Sequence, residues 1–102
     1  MIERLPIKVD ETRIRVFCRR HRIRMLWFFG SVLRDDFRPD SDVDVLVDFD
    51  PEAKLSFWDV VRIQEELADL LGRSVDLVEA EALTNPFRRR EILRTRRLVY
   101  AA

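Results

Sequence analysis

The chain has 102 residues, 47% apolar and 10% aromatic, enough for one hydrophobic core in a single domain spanning 1–102 and too much for a disordered segment. Its 19 basic residues match its 19 acidic ones, which excludes a polyanion binder of the strongly basic kind, and the lone Cys18 excludes an internal disulfide. No apolar run approaches the roughly 18 residues of a membrane span.

The neutrality hides a pattern. Residues 1–34 hold nine bases and three acids, 35–50 one and seven, 51–82 three and eight, and 83–102 six and one, so basic ends enclose an acidic middle. The N-terminal residues MIERLPIKVDE lack the apolar stretch of a secretory signal, and a reducing cytoplasm is the expected location.

Asp10 is a helix N-cap, with Ile14, Phe17, Cys18 and His21 following at helical spacing. The segment 23–29, IRMLWFF, is too apolar for a surface loop and reads as a buried strand ending at Gly30-Ser31. Residues 31–41 are polar and turn-like. Then 42–50, DVDVLVDFD, alternates: Asp42, Asp44, Leu46, Asp48 and Asp50 face one way, and Val43, Val45, Val47 and Phe49 the other.

Ser56, with Asp59 three residues on, opens a helix that Gly72 closes. On that helix Phe57, Val60, Val61, Ile63, Leu67, Ala68, Leu70 and Leu71 fill the apolar half. Trp58 lies on its polar side, where it either anchors a partner or packs over a sheet edge. Residues 74–79, SVDLVE, form a short strand; Asn85-Pro86 starts a basic helix, and 98–100 add a last strand. The order implies an α/β (α+β) fold, a small mixed β-sheet with helices packed on it.

Chemistry concentrates on three acids. Asp42 and Asp44 stand about 6 to 7 Å apart on one face of a strand, near enough to lean on one cation. Asp76 sits between Val75 and Leu77, where a carboxylate beside a core is costly unless paired, and is the natural third member. Three such groups at about 4 Å repel by roughly 4 kcal/mol per pair at an effective dielectric of 20, and a divalent ion reverses that sign. All-oxygen ligation favours Mg²⁺ or Mn²⁺ over zinc. An EF-hand starting at Asp40 fails, having Val45 at its sixth position and Pro51 at its twelfth. A P-loop fails because neither of the two glycines precedes Lys-Ser/Thr. Gly30 lets backbone approach a phosphate and Ser31 offers a hydroxyl and amides, so a phosphate cradle adjoins the acids. The plainer alternative is an edge strand whose acids discourage aggregation.

Phe29-Gly30-Ser31, ten intervening residues, and Asp42-Val43-Asp44-Val45 together resemble the signature of the DNA polymerase β-like nucleotidyltransferase superfamily. The wider text FFGSVLRDDFRPDSDVDVLVDFDP, followed by GRSVDLVEAEAL, is similar to the minimal nucleotidyltransferases, the MNT family. The resemblance implies a polymerase β-like fold, with Gly30 and Ser31 holding a triphosphate and Asp42, Asp44 and Asp76 binding two Mg²⁺ ions as the catalytic carboxylates. Asp76 would sit nearest the acceptor. Arg34 falls where the family often has an arginine on the nucleotide, followed by Asp35 where a glycine is expected. The implied reaction is transfer of AMP from ATP to a hydroxyl of a macromolecule, commonly a tyrosine of a HEPN-domain ribonuclease toxin, the MNT protein acting as a type VII-like antitoxin. A binding module that neutralises its partner by occlusion, without catalysis, is the alternative. Direct nucleic-acid binding by the basic helices is disfavoured, since no aromatic residues interleave with the arginines for base stacking.

Overall fold

The computed structural model describes residues 7–33, 38 and 41–102. Helix α1, Glu11–Arg20, starts where the Asp10 side chain accepts the Arg13 backbone N–H at 3.1 Å, and it buries Ile14, Phe17 and Cys18. Strand β1, Ile23–Phe29, runs into a single 3-10 turn at Gly30–Leu33. Strand β2, Val43–Phe49, is followed by helix α2, Phe57–Leu71. A full capping box opens α2: the Ser56 side chain accepts the Asp59 N–H, and the Asp59 carboxylate accepts the Ser56 N–H at 2.8 Å. Gly72 ends it in the left-handed region. Strand β3, Val75–Glu79, a second 3-10 turn, helix α3, Pro86–Thr95, and strand β4, Arg97–Ala101, complete the order. Asn85 caps α3 by accepting the N–H groups of Phe87 and Arg88 at 3.0 and 3.1 Å.

The sheet runs β3-β2-β1-β4, with β1 antiparallel to both neighbours and β2 parallel to β3. It is the small mixed sheet expected. Apolar side chains cover it on both faces. On one, Val43, Val45 and Val47 pack with Leu26, Phe28, Ile14 and Phe17, and with Ile63 and Leu67 of α2. On the other, Trp27, Phe29 and Leu46 meet Leu83 and Ile92, the buried residue of α3.

Two expectations are corrected, the first by that second layer. Leu46, placed by alternation on the acidic face rather than with the valines, is fully buried, because α3 lies over that face. Phe57, assigned to the apolar half of α2, is 72% exposed; at the first position of the helix it stacks edge-on against Trp58, itself 69% exposed, with ring centroids 5.3 Å apart. Asp48 and Asp50 pair with Arg24 at 3.0 Å and Arg22 at 3.2 Å, so part of the N-terminal basic block is spent within the fold. Arg20 and His21 both meet Glu66 of α2. Among the described residues no helix is long and apolar enough to cross a membrane.

Cys18 is completely buried on α1, and burial pushes its thiol up to about 12. The thiolate is the reactive form, so at pH 8 the native protein should resist thiol-modifying reagents. Modification should proceed at the rate of unfolding and become fast in urea; rapid labelling of the folded protein, followed by mass spectrometry, would contradict the packing of α1.

Candidate functional site

The site is assembled by strand alignment. Phe29, the last residue of β1, pairs across the ladder with Asp44 of β2, and Asp44 pairs in parallel with Asp76 of β3. One step further along the same face, Leu46 pairs with Val78 beneath α3. The acids therefore stand at the rim of the apolar layer: Asp44 is half-buried and Asp76 exposed. Asp42 lies one residue before β2, not within it as the alternation implies, and is also exposed.

The turn after β1 closes against these acids. Gly30 has φ +73°, and a Cβ there would collide with the Asp44 carboxylate, lying 3.2 Å from its Cγ. Only glycine allows both the conformation and the approach. The Ser31 hydroxyl donates to the Asp42 carbonyl at 3.3 Å, tying the turn to the entrance of β2. The Ser31 backbone N–H donates to the Asp44 carboxylate. Burial raises the Asp44 carboxyl above its ordinary value; the Ser31 N–H opposes that rise, the charges of Asp76 and Asp42 add to it, and Arg88 moderates it.

Asp42, Asp44, Asp76, Gly30 and Ser31 are thus brought to one corner of the sheet, while Arg34 lies outside the described residues. The acids are neighbours and not a closed cage: among the described residues no three His, Cys, Asp or Glu side chains gather closely enough to hold a metal ion. The donor set still suits a hard divalent cation, being all oxygen and mutually repulsive. A cleft of about 550 Å³ opens beside the turn, between Phe29, Gly30 and Leu33 on one side and Ile92, Arg94 and Thr95 of α3 on the other. Sequence reasoning treats Arg88 only as part of the basic helix that starts at Asn85-Pro86. Its signal was the short spacing from the Asn85 cap, which aims the first turn of α3 but does not reveal which face of the sheet that turn meets.

A Gly-Ser turn closed against paired strand acids on a small mixed sheet is a frame for nucleotidyl transfer. The nucleotidyltransferase domain family matches residues 11–99, and the chain belongs to that family. Protein adenylyltransferase MntA of Thermococcus cleftensis is 42% identical to it over 64 residues, 63% of each chain. A solved chain described as a candidate minimal nucleotidyltransferase is 36% identical, with a TM-score of 0.67 over 84% of this chain and 85% of that one. The fold is also shared, at 18% identity and a TM-score of 0.63, with a chain from the complex of tri-AMPylated Shewanella oneidensis HEPN toxin and its MNT antitoxin, over 90% and 70% of the two chains. The kinship with minimal nucleotidyltransferases read from the Gly-Ser and Asp-Val-Asp text is borne out.

Proposed function

We propose that this chain transfers AMP from ATP to a tyrosine hydroxyl of a HEPN-domain toxin, neutralising it as an antitoxin in the cytoplasm. The observation that carries the reading is the alignment of Asp44 with Asp76 across a parallel strand pair, with the Gly30-Ser31 turn closed against Asp44. The named activity of the MntA relative and the AMPylated toxin in the Shewanella complex supply the substrate and partner.

Gly30 and Ser31 present backbone to the triphosphate and orient its α-phosphorus toward the acids. Two Mg²⁺ ions, held by Asp42, Asp44 and Asp76, would neutralise phosphate charge and make the acceptor hydroxyl more acidic. Asp76, the outermost and most exposed of the aligned pair, takes the tyrosine proton. The phenolic oxygen bonds to the α-phosphorus as the bond to the bridging oxygen breaks, and pyrophosphate leaves.

The test is incubation of the chain with labelled ATP, Mg²⁺ and its cognate toxin, followed by peptide mass spectrometry. Adenylyl groups on a toxin tyrosine are expected, with toxin activity falling in step. A toxin neutralised with no label transferred would replace this reading with simple occlusion.

A further inference from the structure

We infer that Arg88 is a phosphate-binding residue of this site, carried by the first turn of α3 to the triphosphate beside Asp44. The inference rests on the nucleotidyl-transfer reading above. Three observations converge on it.

The first is position. Arg88 and Ile92 are one helical turn apart and share a face of α3. Ile92 is buried against Leu46, Trp27 and Phe29, and Asp44 stands two residues before Leu46 on the same face of β2. Helix α3 leads from β3 at one edge of the sheet to β4 at the other, and Ile92 packs with Phe29 of β1, the ladder partner of Asp44; Arg88, one turn earlier, lies toward the β2 and β3 side, where Asp44 and Asp76 stand.

The second is local cost. The start of α3 carries Arg88, Arg89 and Arg90 and no acid in its first turn. A helix N-terminus bears partial positive charge, so cations there oppose folding of the helix. Asn85 satisfies the Phe87 and Arg88 amides, which leaves the side chain, and not the helix end, to meet an anion. Local rules are broken in this way chiefly where function requires it.

The third is availability. Arg20, Arg22, Arg24 and Arg94 are in ion pairs, and Arg96 lies over the Trp27 ring at 4.4 Å. Among the described residues the Arg88 guanidinium makes no ion pair or hydrogen bond, and its residue is exposed. Three carboxylates plus a triphosphate outweigh the charge of two divalent ions, so the loaded site is short of positive charge. A guanidinium fork matches phosphate oxygens in both geometry and charge.

The experiment measures binding of a non-hydrolysable ATP analogue with Mg²⁺ by calorimetry, alongside thermal melting without nucleotide. Arg88→Ala should weaken binding roughly 10- to 100-fold, the range of a lost charge-assisted contact, while melting no lower than wild type. Arg88→Lys should recover part of the affinity. Arg90→Ala, two residues on and roughly opposite on the helix, should bind as wild type does. Equal affinity in Arg88→Ala and wild type would overturn the inference alone. So would an equal loss in Arg90→Ala, which would reduce the effect to net charge, or a lowered melting temperature in Arg88→Ala, which would make the residue structural. A wild-type chain that binds no analogue would overturn both this inference and the nucleotidyl-transfer reading.

Discussion

Asp44→Asn should lower the rate of AMP transfer about a thousandfold or more, the equivalent of about 4 kcal/mol of lost transition-state stabilisation. Asparagine keeps the shape of the side chain and can still meet the Ser31 N–H, but it surrenders the charge on which a divalent ion would depend. The same substitution should not weaken the metal-free fold. The Asp44 carboxyl is raised in the folded protein, by burial first and then by the charges of Asp76 and Asp42. Its ionisation therefore opposes folding. Metal-free stability attributable to this group is highest below the ordinary value of 3.8, declines as pH climbs through the raised one, and is level above it. In EDTA at neutral pH the variant should melt no lower than wild type, and with Mg²⁺ and ATP only wild type should gain strongly. Equal gains in both proteins would detach Asp44 from the site.

Gly30→Ala is the second large effect. Alanine at φ +73° is strained by about 1 to 2 kcal/mol, and its Cβ collides with the Asp44 carboxylate, so either that side chain or the turn must move. A displacement near 1 Å at a reacting centre is worth about a hundredfold in rate, and transfer should fall by at least that much. Gly72→Ala provides the comparison. Its φ of +67° imposes similar strain, but nothing lies within 4 Å of a Cβ there. It should cost comparable stability in urea denaturation while leaving transfer per folded molecule unchanged. Parallel losses of activity in the two variants would mean that the approach of Gly30 to Asp44 has no role.

Much of this was readable in the chain. The strand over 23–29 is bounded by its own apolar text and by Gly30, and α2 by Ser56 and Gly72, because caps and turns are local chemistry. The pairing of Asp44 with Asp76 was inferred from an acid set among apolar neighbours on two strands, and β2 and β3 do lie side by side. What was hidden was depth. Leu46 and Asp44 share one face by period, yet one is buried and the other stands at the rim, and the difference comes from α3, half the chain away. Ile92 is the only buried residue of that helix, too little pattern to show which layer it joins. Arg88 disappeared from view with it. The two short 3-10 turns escape periodicity because neither is long enough to display one.

The two aligned acids owe their meeting to residues that never touch a substrate. Val75 and Leu77 flank Asp76 and enter the same apolar layer as Val43 and Val45, their partners across the strand pair. Sliding β3 by a single residue would drive Asp76 into that layer and strand both apolar side chains outside it, a costly exchange. The valines of the core thus act as a ruler for the chemistry above them. A worn ruler, such as a small-to-large change at Val45, can silence this site with every acid still in place.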